Sequence, residues 1–335
     1  MRNCVISIEK LGFPFKTLDP FLFCVYHKDV YPSSATKLRR GSGADFDFTS
    51  DYRMYHGEDI PGFPQHPHRG FETVTATLEG YVDHTDSLGS AGRYGMGDNQ
   101  WMTAGAGVVH GEVFPMIHDD KPNTLRLFQI WLNLPSKSKM VPPTYVMHWH
   151  ENIPRFTTDD GLATVVLWAG REKGLVGLPP PPNSWATDEN NEVAIWHMTL
   201  KPGGRYQIPR ADRGKDINRR LFYVEGSALI VGEQSIAEHC AITLDADVDA
   251  IVTNPVASST STELLLLQGR PIGEPISQQG PFVMNTAQEI QQAFRDYQST
   301  HFGGWPWPDD AMTFPKDKGR FALLNGQEEL PPSSM

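Results

Sequence analysis

Cysteine is scarce in this chain: Cys4, Cys24 and Cys240 are the only three among 335 residues. They are odd in number, far apart and without paired spacing, which argues against a disulfide scaffold and against a cysteine-built zinc site. Reduced thiols fit a cytoplasmic setting, or a nuclear one in a eukaryote. Positive charge is also in deficit, with 29 Lys and Arg against 40 Asp and Glu and a formal charge of -11. A chain that holds nucleic acid by neutralising phosphates carries the opposite balance. Long apolar runs are missing as well. The opening stretch MRNCVISIEKLGFPFKTLDPFLFCVY breaks its hydrophobic positions with charge, glycine and proline, so it reads as neither a secretory leader nor a membrane span. Nucleotide motifs are absent in turn: GAG at 105–107 does not open a helix after a strand, and there is no P-loop.

What the chain does contain is turn chemistry. Its 30 glycines and 27 prolines are spread along the length, and short apolar runs lie between them. TVTATLEGYVDH, LRLFQIWLNLP, ATVVLWAG, EVAIWHMTL and RLFYVEGSALIVG are each of strand length. The fold class is therefore all-β, and 335 residues suit two domains. The proline run Pro179–Pro182 and the polar stretch after it read as a stiff connection, which puts a boundary between about 140 and 190. The division expected is 1–150, 151–300 and an extended tail over 301–335. One helix is expected from Thr286 to Ser299, with Ile290, Phe294 and Tyr297 on one stripe and Thr286 capping with Glu289. Gly41 to Phe63 reads as a long loop.

Two phrases carry chemistry: His66 and His68 in HPHRGFETV, and His110 and Glu112 in WMTAGAGVVHGE. Residues two apart on a strand share a face, so each phrase offers a matched pair of ligating atoms. Together they make a four-ligand pocket. Imidazole and carboxylate suit Fe(II), Mn, Ni, Co, Cu and Zn, and four protein ligands leave an octahedral metal two positions for O2, water or a chelating substrate. Pro67 cannot donate to a ladder, so its strand is expected to be irregular or at an edge. Gly111 is expected to let the backbone approach its neighbours closely. Glu72, four residues past His68, competes with Glu112 for one coordination position and is read as a hydrogen-bonding partner behind the ligands. His148 and His150 form another H-x-H with no carboxylate phrase to follow, and read as an exposed strand end. His84, between Asp83 and Asp86, is read as part of a turn.

HPHRGFETVTATLEG, GDNQWMTAGAGVVHGE, IWLNLPSKSKMVPPTY and QQGPFVMNT occur in an order that resembles the pirin family of bicupins, over roughly residues 15 to 300. The resemblance implies two stacked antiparallel β-barrels with metal only in the N-terminal one, and iron ligands at His66, His68, His110 and Glu112. The second half has no H-x-H, and His239 beside Cys240 does not restore one. Thr103 stands where cupins more widely have proline, a variation pirins share. The long loop before Gln65 and the extended tail depart from shorter members and bear on substrate choice.

For function, the resemblance implies an Fe(II)-dependent dioxygenase of the quercetin 2,3-dioxygenase type. It would act on a flavonol and O2 with release of carbon monoxide, with Glu112 as base. The alternative is an iron-containing, redox-sensitive protein that binds transcription factors without turnover. A monomer is expected, without membrane or direct nucleic-acid partners.

Overall fold

The computed structural model describes residues 3–41, 46–236 and 239–333. The chain is mostly β and falls into two compact units, neither of them continuous in sequence. The first comprises Tyr26–Gln129, Leu134–Asn152 and Glu274–Met335; the second comprises Met1–Val25, Ile130–Asn133 and Ile153–Gly273. One crossing between the units falls at residues 152 and 153. The proline run does not mark it, because Pro179 and Pro180 wall a cavity inside the second unit. Contiguous segments also fail at the ends. The C-terminal helix belongs to the first unit, and Val5–Lys10 pairs with Cys240–Leu244 in the second.

The strands that position the first unit are β1 (Phe21–Tyr31, in this unit from Tyr26), β2 (Gly62–His68), β3 (Phe71–Glu79), β4 (Tyr81–Asp86), β5 (Ala91–Gly95), β6 (Asn99–Thr103), β7 (Val108–Val113), β8 (Asn123–Asn133, in this unit to Gln129) and β9 (Thr144–His148). One sheet runs β9-β6-β3-β8-β1, and in the other β5, β4, β7 and β2 are successive neighbours. β2 is an edge strand with a register shift between Phe63 and His66. That is where a proline such as Pro67 is tolerated, since no partner needs its missing N–H. Tyr31, Met54, Tyr55, Val82, Leu125, Leu127 and Trp149 pack into one buried cluster.

In the second unit, β10 (Ala194–Leu200), β11 (Asn218–Glu225) and β12 (Thr262–Gly269) are the centre of a seven-stranded sheet in the order β11-β12-β10. A four-stranded sheet and a short two-stranded one, Arg171–Glu172 with Leu175–Val176, belong to the same unit. Val165, Leu167, Met198, Leu221, Leu264 and Leu266 are fully buried in its core, each worth roughly 1.5–3 kcal/mol against exposure.

The C-terminal segment returns to the first unit. Helix α1 (Ala287–Thr300) is capped by a reciprocal box in which Thr286 accepts from the Glu289 N–H and the Glu289 carboxylate accepts from the Thr286 N–H. Its stripe of Ile290, Ala293, Phe294 and Tyr297 packs on Phe282 and Met284. The tail is more than a surface wrap. β13 (Phe321–Leu324) pairs with β5, and β14 (Gln327–Glu329) pairs with β13, which extends the sheet to β14-β13-β5-β4-β7-β2. Among the described residues no helix is long and apolar enough to cross a membrane.

Candidate metal centre

The site is built on β2 and β7. These strands pair antiparallel with His66 opposite His110 and Phe63 opposite Glu112. The alternation of side chains then sends His66, His68, His110 and Glu112 to one face. The close approach that makes this possible is at Gly62 (φ +124°), where a Cβ would lie 2.5 Å from the Glu112 carbonyl oxygen. Gly111, expected to fill that role, has ordinary 3.6 Å contacts and φ outside the left-handed region.

His66, His68 and His110 come together with one ligating atom from each within 4.8 Å of the others. Ring centroids lie 4.5 Å apart for His66 and His110 and 4.7 Å apart for His66 and His68. Nδ1 of His66 is 2.8 Å from the Pro64 carbonyl oxygen, so Nδ1 carries the proton and Nε2 keeps its lone pair. His110 is fully buried, and neither ring nitrogen has a hydrogen-bond partner. Buried polar atoms are seldom left so. Burial holds all three rings neutral, taking His66 down to about 4 and His68 and His110 well below the usual range, with repulsion from neighbouring histidines adding to the effect. Three neutral imidazoles at this spacing fit a divalent metal.

Glu112 stands beside this group rather than within it. Its Oε2 is 3.9 Å from His110 Nε2, while its Oε1 accepts from Thr75 Oγ1 at 2.9 Å and from the Tyr94 hydroxyl at 3.3 Å. One oxygen is tethered and the other faces the histidines. Burial raises the Glu112 pKa, opposed by His84 and by the hydrogen bonds from Thr75 and Tyr94.

The structure places the other candidates elsewhere. Glu72 is fully buried and accepts from Thr103 Oγ1 at 2.6 Å. On β3 it alternates with Phe71 and Thr75, which face His68 and Glu112, so its side chain lies on the opposite face. His148 is not an exposed strand end: it is buried at the end of β9, with Nδ1 3.4 Å from Asn99 Nδ2. Neither His148 nor His150 joins a ligand group among the described residues.

His84 is the residue that sequence reasoning underrated. It lies on β4 opposite Glu112, fully buried, with its ring 5.5 Å from that of His110. Its neighbour Asp86 sits opposite His110 and 3.4 Å from His84 Nε2. The available signal was strand alternation through YVDHTD. Asp86 does also make the expected turn, accepting from the N–H groups of Leu88 and Ser90.

Residues 15–132 match the family described as Pirin, and residues 195–303 match the Pirin C-terminal cupin domain. The chain is 39% identical over 240 residues to a pirin-like protein of Solanum lycopersicum, spanning 71% of this chain and 75% of that protein. It is 36% identical over 258 residues to a pirin-like protein of Caulobacter vibrioides, spanning 77% of this chain and 84% of that one. A crystal structure of quercetin 2,3-dioxygenase from Acinetobacter baumannii superposes with a TM-score of 0.68 at 28% identity, covering 90% of this chain and 96% of that chain.

Proposed function

The chain belongs to the pirin family, and from that premise we propose that it is a metal-dependent dioxygenase that opens the heterocycle of a flavonol with loss of carbon monoxide. The observation that carries the reading is the group of three imidazoles, two of them buried, beside a tethered carboxylate with one oxygen turned toward them. Similarity to the quercetin 2,3-dioxygenase of Acinetobacter baumannii supports the choice of substrate class.

His66, His68 and His110 would hold the metal, with Glu112 as fourth ligand. Fe(II), bound there, supplies O2 activation and a Lewis-acid anchor for a substrate oxygen; Mn, Co, Ni, Cu and Zn compete for the same donors. Burial keeps the three imidazoles neutral and therefore able to donate. Swinging free of its ligand position as the substrate hydroxyl arrives, Glu112 would accept the proton of the flavonol 3-hydroxyl at Oε2, the oxygen not engaged by Thr75 and Tyr94. Thr75 and Tyr94 orient that carboxylate, and His84 stabilises its charged form.

The test is turnover. Protein purified anaerobically and loaded with Fe(II) is followed for quercetin loss and carbon monoxide release, beside a Glu112→Ala variant. Turnover in the parent and its loss in the variant are expected. A fully iron-loaded parent with no turnover would overturn the proposed reaction.

A further inference from the structure

The second unit contains a cavity of about 920 Å³ whose wall includes Arg219, Gln268 and Trp196. The volume is in the range that small-molecule sites occupy. Register places Arg219 opposite Gln268 and Trp196 opposite Leu266. Arg219 shares a face of β11 with Leu221 and Tyr223, and Gln268 shares a face of β12 with Leu264 and Leu266. All four of those neighbours belong to the buried core. The cavity therefore reaches the inward face of this unit.

Two donors on its wall are unused. Arg219 is 2% exposed; its Nε donates to Gln268 Oε1 at 2.7 Å, and its Nη1 has no hydrogen-bond partner. Trp196 is 4% exposed, and its Nε1 also has none. Burial brings the Arg219 guanidinium down to about 10, which leaves it cationic at neutral pH. Five acidic residues share the wall, and each has a partner of its own: Asp212 interacts electrostatically with Arg171, and Asp188 accepts from the Asn190 N–H. Glu189 pairs with Arg171, Glu192 accepts from the N–H groups of Asp212 and Arg213, and Glu172 accepts from the Tyr206 hydroxyl. A buried cation and an indole N–H, each with a donor left unmatched by the residues lining this cavity, call for a ligand that brings acceptors.

We propose that this cavity binds a small organic carboxylate, its oxygens accepting from Arg219 Nη1 and Trp196 Nε1. The site is independent of the histidine group, since every residue named for it lies within Ile153–Gly273.

Calorimetric titration of the full-length protein with benzoate tests this, with benzamide as the uncharged isostere and inorganic phosphate as an anion of different shape. The His66→Ala, His110→Ala double variant is titrated alongside, to separate this cavity from carboxylate binding at a metal. Saturable benzoate binding is expected in both proteins. It should weaken about ten-fold or more in Arg219→Gln and with benzamide, as loss of a charge-assisted hydrogen bond implies, and more modestly in Trp196→Phe, which keeps the aromatic packing. Three results would overturn the proposal: no benzoate binding in the parent, as a cavity filled only by water would give; equal affinity for benzamide or phosphate; or affinity unchanged in both Arg219→Gln and Trp196→Phe.

Discussion

Replacing Thr75 with valine probes how the carboxylate beside the histidines is held. The Thr75 hydroxyl has one proton, yet lies 2.9 Å from Glu112 Oε1 and 2.8 Å from Gln129 Oε1. It can donate to only one of them. The buried carboxylate is the stronger acceptor, so the Gln129 amide must turn its NH2 toward Thr75. Valine keeps the shape and removes the whole relay, leaving Glu112 with the longer 3.3 Å contact from Tyr94. A hydrogen bond to a charged group is worth about 1.5–3 kcal/mol. If that energy orients the base, kcat/KM for quercetin should fall by about 10- to 100-fold. Metal content should stay close to the parent's, because the three histidines are untouched. Steady-state kinetics on metal-quantified protein makes the comparison. Activity within two-fold of the parent at equal metal loading would refute the orienting role, and so would a loss of activity that simply tracks a loss of metal.

Two further outcomes concern stability. His27 is 4% exposed, packs edge-on to Tyr55, and is brought down to about 3 by burial and then by Arg53. The unfolded chain therefore takes up this proton first, so the stability is whole above about pH 6.5 and lost as pH falls toward 3, by about 2 kcal/mol at pH 5. Asp29, pushed up to about 6 chiefly by burial, acts in the opposite sense, so the comparison is made between parent and His27→Phe. Urea denaturation should show the variant losing less stability between pH 7 and pH 5; equal losses would contradict the assignment. Arg93 is buried in a two-pronged pair with Asp83, at 2.7 Å for each prong, and also donates to the carbonyls of Phe314, Pro315 and Lys318. Arg93→Met should cost about 3–5 kcal/mol and expose residues 304–320 to limited proteolysis, whereas an unchanged digestion pattern would mean the tail is anchored by other contacts.

That these residues share a face was legible because the information is local: period two on a strand places His66 with His68 and His110 with Glu112. The capping box of α1 was legible for the same reason. What was missed depends on pairing between distant strands. His84 lies in a segment that also forms a turn through Asp86, and only the register with β7 shows it beside the histidines. Glu72 has attractive spacing from His68, but Gly70 bends the chain there with φ +86°, and the face it takes on β3 is set by pairing with Thr103. Two strands at the ends of the chain escaped for a related reason. Val5–Lys10 and β13 each satisfy a sheet far away in sequence, a demand of backbone hydrogen bonding that composition does not record.

The central claim is that His66, His68 and His110 form one metal-binding group. Elemental analysis of protein prepared anaerobically with Fe(II), for the parent and the His66→Ala, His110→Ala double variant, tests it most directly. The parent should retain stoichiometric metal through gel filtration and the folded double variant should lose it. Equal metal in the two would contradict the assignment.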